Sequence, residues 1–412
     1  MIGSNQTPIE ITGMGIITPI GQGVVAFTEA LLSGKTQFGY LKRPGREATK
    51  PFMGAELPDI DVKSFFPEKS GLLRSATWTS QIATMAVSEA WQDAQLNSSE
   101  VNPERIGLVI GGSNLQQRHQ QQTWQRYQSR PEFIRPTYGL TVWDTDIMGM
   151  LSQCFQIRGE GYSVGGASAS GAVAIIHAAR QILMGATDIS IAVGALFDLS
   201  AYECQGLTNL GAMGSERFAD RPEQACRPFD QDHDGFIYGE GCGVLVLERA
   251  DHAKQRGAIS HGKLMGWGFG LDGNRSPEPS QIGEERVMNA ALAMANLKAE
   301  QIDYVNTHGT SSPLGDRTEV AALKSVGLHN CLLNSTKSLT GHCLTAAGVV
   351  EAIATILQIK NSFCHSTHNL VNPIDSSLAL VKETSISAEI NYGMSNSFAF
   401  GGINTALLIG KR

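Results

Sequence analysis

The stretch that decides the fold is residues 161–171, Gly-Tyr-Ser-Val-Gly-Gly-Ala-Ser-Ala-Ser-Gly, followed by the apolar run 172–183. An apolar segment enters a Gly-Gly turn, and a helix of small and aliphatic residues leaves it. Small residues let such a helix pack closely on a sheet, and glycine allows the sharp turn between strand and helix. The turn puts Ser168 at a helix N-terminus, where backbone N–H groups and the helix dipole favour negative charge.

Ser168 has two interpretations on this stretch alone. A serine nucleophile on a hydrolase elbow requires the pattern Gly-x-Ser-x-Gly, and Ser170 stands where the last glycine belongs. Serine is also a preferred residue at a helix N-cap, which would make the role of Ser168 purely structural. The rest of the chain decides between these interpretations.

Length and composition indicate a soluble α/β protein. A chain of 412 residues buries a large core and suggests two or three domain-sized units. A net charge of −7 argues against a general nucleic-acid binder. The seven cysteines are odd in number and never spaced Cys-x-x-Cys, which predicts reduced thiols and no structural zinc. With no signal peptide and no apolar run long enough to span a membrane, we expect a cytoplasmic protein.

The order of the predicted elements suggests two similar halves, residues 1–260 and 261–412. Residues 9–15 and 261–270 each read as a strand that runs into Gly-x-Gly, and each half ends on an apolar strand. Strands alternate with helices throughout both halves. One segment stands out by composition: residues 115–130, rich in Gln, predict a solvated helix or a lid that borders a site. Further predictions are strands at 105–111, 186–195, 243–248 and 405–409, and helices at 24–33, 75–95, 148–157 and 250–256.

Three later segments, expected to be loops, are dense in glycine, histidine and polar residues: 305–319, 334–351 and 396–404. A single histidine beside such a turn is commonly a satisfied core residue. His308 and His342 each lie beside a Gly turn, and together with Ser168 they make a reactive site the better interpretation.

Side chains near the two histidines extend this hypothesis. Lys337 and Glu351 either pair or lie separately on the surface. If Lys337 sets the field at the histidines, His308 and His342 can donate hydrogen bonds to an oxygen that becomes negative. Phe400, next to Gly401-Gly402, is either a gate or a core aromatic residue at the end of a strand.

These segments resemble the β-ketoacyl-acyl carrier protein synthases, the condensing enzymes of fatty acid and polyketide synthesis. The resemblance implies an α/β thiolase fold, with two similar βαβαβαββ halves in a five-layer αβαβα arrangement. It also implies an acyl carrier protein as partner, a homodimer with the strand at 186–195 in its interface, and neither nucleic acid nor membrane as partner. The motifs that carry it lie at residues 12–21, 227–241, 306–310, 335–342 and 396–402.

The resemblance also implies roles for individual residues. His308 and His342 would be the decarboxylation pair, supported by Lys337 and Glu351. The backbone N–H groups of Ser168 and Phe400 would form an oxyanion hole. No bound cofactor and no metal are implied, because the phosphopantetheine arm arrives on the carrier protein. Residues expected to contact the substrate and its arm are Thr307, Thr310, Ser311 and Phe398, and those expected to dock the acidic carrier are Lys63, Lys69 and Arg74.

The departures from the family pattern are informative. The family has Cys within Ala-Cys-x-Ser-Gly, whereas this chain has Ser168, and Ala399 and Ile403 replace a usual Gly and Thr. A thiol at a helix N-terminus can react as a thiolate. A hydroxyl is far less acidic and needs an adjacent general base. With both histidines committed to the thioester oxygen, we expect Ser168 to be a poor acyl acceptor.

Decarboxylation of a malonyl thioester needs no nucleophile, only stabilisation of the enolate oxygen. The sequence therefore favours a malonyl-acyl carrier protein decarboxylase that makes the acetyl thioester. It resembles the Ser-type decarboxylases of polyketide β-branching cassettes, in which an HMG-type synthase consumes the acetyl group. Three alternatives remain open: a condensing enzyme with Ser168 as nucleophile, a non-catalytic partner subunit of the chain-length-factor kind, and a serine hydrolase.

Overall fold

The framework is a continuous β-sheet whose two halves have the same strand order. The computed structural model describes residues 8–66, 68, 70–97, 101–214 and 216–412. The first half contains β1 (Ile9–Thr18), β2 (Ile106–Gly111), β3 (Gly161–Val164), β4 (Ile189–Gly194) and β5 (Cys242–Arg249). The second half contains β6 (Gly262–Leu271), β7 (Tyr304–Asn306), β8 (Leu332–Asn334), β9 (Tyr392–Ala399) and β10 (Ile403–Gly410).

The two halves match strand for strand. The first is ordered β1-β5-β4-β2-β3 and the second β6-β10-β9-β7-β8. In each half the first three strands pair antiparallel and the last three pair parallel. Antiparallel pairing of β1 with β6, with Ile9 opposite Leu264, joins the halves. The predicted twofold repeat is therefore confirmed at the level of topology.

Helices complete five layers. The longer and site-forming helices are α1 (Val24–Ser33), α2 (Trp78–Asp93), α3 (Gln117–Tyr127), α4 (Thr145–Phe155), α5 (Ser170–Leu183), α6 (Ala201–Asn209), α7 (Ala250–Gln255), α8 (Gln281–Ala295), α9 (Pro313–Val326), α10 (Lys337–Thr340) and α11 (Ala347–Asn361). The buried helices α5 and α11 pack on each other between the half-sheets, while α2 and α8 cover the outer faces. This is the expected αβαβα arrangement.

Shorter elements connect the layers. Short helices are Val62–Phe65, Ser70–Leu73 and Tyr138–Thr141, and single 3-10 turns, Ala167–Ala169 and Leu344–Ala346, precede α5 and α11. Further 3-10 turns are Pro103–Arg105, Pro131–Phe133, Glu216–Phe218, Pro222–Gln224 and Ala299–Gln301. Short strands are Gly21–Gln22, Gly39–Tyr40, Met53–Ala55, Tyr238–Gly239, Phe363–Cys364 and Ile386–Ser387.

The Gly-x-Gly pairs in β1 and β6 serve helix packing. A Cβ atom on Gly15 would lie 1.9 Å from the carbonyl oxygen of Ala86 in α2, and one on Gly268 would lie 1.9 Å from that of Val287 in α8. Any larger residue at either position would push the outer helix off its sheet. The repeated motif noticed in the sequence thus has the same structural cause in both halves.

Two expectations need correction. The strand predicted at 186–195 does not lie at a free edge, because β4 pairs with β2 on one side and β5 on the other and is buried along its length. The exposed edge of the first half is β3. The segment 396–404, expected as a loop, is the end of β9, a short turn and the start of β10.

Within the described residues, no helix has the length and apolar character needed to cross a membrane.

Candidate functional site

A cavity of about 520 Å³ lies where the two halves meet. The ends of α5, β7, β9 and α10 surround it, so both halves contribute to its wall. Among the predicted site residues, those that line it are Ser168, His308, Thr310, His342, Phe398 and Phe400. Residues that lie more than 200 positions apart in the chain thus converge on one space.

The turn that carries Ser168 is fastened by Ser170. The Ser170 hydroxyl accepts a hydrogen bond from the backbone N–H of Gly166 at 2.9 Å and donates one to the carbonyl oxygen of Ala167 at 2.8 Å. Ala167 has φ 44°, in the left-handed region. The departure at Ser170 from the hydrolase pattern is therefore part of a different, self-capped turn that leaves the half-buried Ser168 side chain directed into the cavity.

His342 contacts Ser168 as a hydrogen-bond donor. Its Nε2 atom lies 2.8 Å from Ser168 Oγ, and the backbone N–H of Leu344 lies 3.3 Å from its Nδ1 atom. A backbone N–H group only donates, so Nδ1 carries no hydrogen and the hydrogen of the neutral ring is on Nε2. A histidine does stand next to Ser168, but its tautomer is that of a donor and not of a general base.

His308 has the same tautomer for a different reason. The Lys337 ammonium lies 3.3 Å from its Nδ1 atom and 2.5 Å from its backbone carbonyl oxygen. An ammonium group only donates, so the hydrogen of His308 is also on Nε2. The two imidazole rings are 5.6 Å apart and nearly perpendicular. The site therefore presents two neutral N–H donors to the same cavity.

Burial and a nearby cation keep both histidines neutral. Burial lowers the pKa of His308 and His342 well below the usual value of 6.5, and the positive charge of Lys337 lowers both further. A neutral imidazole stabilises a developing negative charge without forming an ion pair with an anionic ground state. This electrostatic setting suits the stabilisation of an enolate.

Lys337 is held by Glu351, as one of the two sequence interpretations has it. Lys337 Nζ lies 2.5 Å from Glu351 Oε1, and both side chains are almost fully buried. Burial raises the pKa of Glu351 to about 7, and the charge of Lys337 opposes that rise. The pair is distant from free solvent, so Lys337 is fixed beneath His308.

Sequence analysis missed Glu319. Its carboxylate accepts hydrogen bonds from the backbone N–H groups of His308 and Gly309, both at 2.8 Å, and burial raises its pKa to about 7. It fixes the turn that presents His308. The available signal was an acidic residue in the first half of a helix directly after the His308 turn.

Aromatic rings enclose the histidines. The ring of Phe236 packs edge-on against His342 at 5.2 Å, and Phe398 packs against His308 at 5.8 Å. Phe398 is buried, whereas Phe400 is 40% exposed and stands before the left-handed residues Gly401 and Gly402. Phe400 therefore lies on the turn at the cavity wall, where both a gate and an oxyanion-hole contribution remain predictions.

Two of the residues predicted to bind the arm face away from the cavity. The Thr307 hydroxyl is fully buried and donates to the carbonyl oxygen of Asn334 at 2.8 Å. The Ser311 hydroxyl, also fully buried, accepts from the backbone N–H of Arg227 at 2.8 Å. These predictions are corrected, because alternate residues of the loop point to opposite sides. Thr310, between them, does line the cavity.

The docking residues are only partly described. Arg74 is exposed, while Lys69 and the side chain of Lys63 lie outside the described residues. The polar segment 115–130 contains α3, and Gln117 at the start of that helix lines the cavity together with Ser113 and Asn114, which precede the segment. Across the described ranges, no group of three or more His, Cys, Asp or Glu side chains forms a candidate metal site.

Known proteins are similar to this chain in sequence. Family models for the N-terminal and C-terminal domains of beta-ketoacyl synthase match residues 6–253 and 261–371. A protein of Bacillus subtilis strain 168 named polyketide biosynthesis malonyl-ACP decarboxylase PksF is 48% identical over 98% of this chain and 97% of its own. The 3-oxoacyl-[acyl-carrier-protein] synthase 2 of Vibrio cholerae is 33% identical over 97% of this chain and 98% of its own.

Solved structures agree with the fold. The ishigamide ketosynthase/chain length factor matches with a TM-score of 0.90 and 26% identity, covering 99% of this chain and all of that one. Its sheet and helix arrangement is thus shared over nearly the entire length. With both family models matched and this overall likeness, the chain belongs to the β-ketoacyl synthase family.

Proposed function

We propose that this protein decarboxylates malonyl-acyl carrier protein to acetyl-acyl carrier protein without forming an acyl-enzyme. The observation that carries the proposal is the shared tautomer of His308 and His342. Both Nδ1 atoms accept hydrogen bonds, from Lys337 and from the Leu344 backbone, so both Nε2–H groups are donors. Two convergent neutral donors stabilise an oxygen that becomes negative, which is the requirement of decarboxylation.

The reaction follows from this arrangement. The thioester oxygen binds between the two Nε2–H groups and replaces Ser168 Oγ as the acceptor of the His342 hydrogen bond. The bond from Cα to the carboxylate then breaks, and its electron pair forms the enolate. Carbon dioxide leaves, and protonation of Cα restores the thioester as an acetyl group. The rings of Phe236 and Phe398 pack against the two histidines and shield them from water, which strengthens both hydrogen bonds.

Ser168 lacks what a serine nucleophile requires. Its oxygen accepts from His342 Nε2–H, so the neighbouring imidazole has no lone pair free to remove the hydroxyl proton. A condensing enzyme with Ser168 as nucleophile is the second candidate, supported by the synthase relatives. The 48% identity to a protein named as a decarboxylase, against 33% to a synthase, favours decarboxylation.

We further propose the surroundings of the reaction. The substrate arrives on the phosphopantetheine arm of an acyl carrier protein of a polyketide pathway. An HMG-type synthase of a β-branching cassette would consume the acetyl product. The seven cysteines are free thiols, which suits the cytoplasm. The exposed edge of β3 suits pairing with a second copy as a homodimer.

The decisive experiment is mass spectrometry of malonyl-loaded carrier protein after incubation with the enzyme, with and without an acyl-carrier co-substrate. We expect loss of carbon dioxide to the acetyl form, no mass added to the enzyme and no extended chain. An acyl adduct on the enzyme that disappears in Ser168→Ala, with a β-ketoacyl product, would establish condensation instead. No reaction in either mixture would favour a non-catalytic partner subunit.

A Ser168→Cys variant provides a matched test of the nucleophile. A thiol at this helix N-terminus beside the His342 donor can ionise. We expect it to be acylated by acyl-carrier protein, while the wild-type enzyme remains unmodified under the same conditions. Equal acylation of both enzymes would contradict the assignment of Ser168 as a non-nucleophile.

A further inference from the structure

A glutamate with an unpartnered, buried carboxyl group is part of the cavity wall that the second half contributes. Glu284, in the first turn of α8, is only 1% exposed and forms part of the cavity wall with Ser168, His308 and His342. Within the described part of the chain, neither of its carboxyl oxygens has a hydrogen-bond partner. A buried polar group without a partner is costly, so its retention points to a ligand or a reaction.

Asp272 also lines the cavity, but unlike Glu284 its carboxyl oxygens have hydrogen-bond partners. Both oxygens of Asp272 accept from Asn404 Nδ2, at 2.8 and 2.9 Å, and Arg286 lies 3.8 Å away. Arg286 donates to the Leu271 carbonyl oxygen. Asp272 is therefore satisfied as a carboxylate, and the cation nearest to it is already engaged.

The surroundings of Glu284 favour its protonated form. Burial raises its pKa well above the usual 4.5, and the charges of Glu319 on α9, Asp272 after β6 and Glu285 on α8 raise it further. A protonated carboxyl in a cavity is both a hydrogen-bond donor and an acid.

The proposed reaction requires an acid that the two histidines and Ser168 do not provide. Both Nε2–H groups are committed to the enolate oxygen, and both Nδ1 atoms lack hydrogen. The Ser168 hydroxyl is a far weaker acid than a carboxyl group. The carbon left by carbon dioxide must nevertheless gain a proton before it recaptures the carbon dioxide.

We propose that the Glu284 carboxyl group donates the proton that converts the enolate carbon to the methyl group of the acetyl product. This assignment rests on the proposed decarboxylase function and adds a catalytic residue to it. The electron pair of the enolate forms the new C–H bond, the thioester carbonyl re-forms, and Glu284 becomes a carboxylate. One proton taken up from solvent through the cavity mouth converts Glu284 back to its carboxyl form after the product leaves, so each turnover consumes one solvent proton.

The test compares Glu284→Gln with Glu300→Gln, a control that makes the same change away from the site. Glu300 is exposed and does not line the cavity. The probe is malonyl-loaded acyl carrier protein in buffer with isotopically labelled carbon dioxide, followed by mass spectrometry. We expect Glu284→Gln to slow acetyl formation by about 10²-fold, in the range of general acids, and the control to remain near wild type.

Incorporation of labelled carbon dioxide into the malonyl group shows whether protonation is the step that the substitution slows. When protonation is slow, the enolate returns to malonyl, so Glu284→Gln should raise the ratio of labelled malonyl to acetyl product at least about tenfold. A Glu284→Asp variant, which keeps an acid, should recover part of the rate. A rate within twofold of wild type, or a slow variant with no rise in label exchange, would overturn the proposal.

A measurement on the wild-type enzyme covers the case in which the variant does not fold. The exchange ratio should rise with pH as Glu284 loses its proton, and a ratio that stays flat to alkaline pH would contradict the proposal. If the wild-type enzyme forms acetyl product but the exchange results fail, only this inference falls. If it forms no acetyl product, the proposed function falls and this inference with it.

Discussion

The 3-10 turns before the two central helices are built alike and used differently. Ala167–Ala169 precedes α5, and Leu344–Ala346 precedes α11. Each begins with a residue in the left-handed region, Ala167 with φ 44° and Leu344 with φ 49°. Each has a hydroxyl residue in second place, and a Gly follows early in the helix. The turn is thus a property of the repeated fold and not of the reaction.

The hydroxyl groups differ in what they face. Thr345 is part of the cavity wall but is only 4% exposed. Its hydroxyl donates to the Ala195 carbonyl oxygen at 2.7 Å. Ser168 faces the cavity and accepts from His342 of the opposite half. Similar local geometry therefore gives a structural hydroxyl in one half and a site hydroxyl in the other. Both hydroxyl groups contact the opposite half, so the partner decides the difference: a backbone carbonyl oxygen for Thr345 and the ring of His342 for Ser168.

The largest effect should come from removing the residue that makes this cross-half contact. His342→Ala deletes one of two donors to the enolate oxygen, and we expect acetyl formation to slow by about 10²–10³-fold. Ser168→Ala removes the other partner of the same hydrogen bond and should stay within about tenfold of wild type. Equal losses in the two variants, measured as kcat with malonyl-carrier protein, would make Ser168 as essential as the histidine.

A smaller effect should appear in stability, where the hydroxyl group of Thr345 should matter more than that of Ser168. Thr345→Val leaves the buried Ala195 carbonyl oxygen without its donor, at a cost of about 1–3 kcal/mol in the free energy of unfolding. Ser168→Ala should cost less than about 1 kcal/mol, since its site is open to the cavity. Urea unfolding of both variants checks this, and a more destabilised Ser168→Ala would break the comparison.

The smallest expected effect is a pH dependence to which His342, the cross-half partner of Ser168, contributes. Burial and then Lys337 lower the pKa of His342, so the unfolded chain binds a proton below pH 6.5 that the folded chain does not. Stability should therefore fall as the pH decreases below 6.5, by up to about 1.4 kcal/mol per pH unit for this one histidine. In His342→Asn the free energy of unfolding should depend less on pH below 6.5 than in the wild type. An unchanged dependence would contradict the lowered pKa of His342.

Sequence reasoning succeeded where function depends on short contiguous motifs. His308, Lys337, His342 and Phe398 lie in segments quoted for their composition, and all four reach the site or its support. It failed for Thr307 and Ser311, because a loop residue's direction depends on which backbone groups it meets. It also misassigned the strand at 186–195 to an interface, because strand order in a sheet is set by long-range pairing.

The sequence by itself determined the features that depend on neighbours in the chain. The small residues around Ser168, the repeated Gly-x-Gly and the histidine turns specify close packing and two similar halves. Only the tertiary structure decided the chemistry of these residues. Ser168 and His342 lie 174 positions apart, and the ring hydrogen of His342 is fixed by the backbone N–H of Leu344. Hydrogen-bond direction and burial arise from partners that meet only in the folded chain, so no local pattern encodes them.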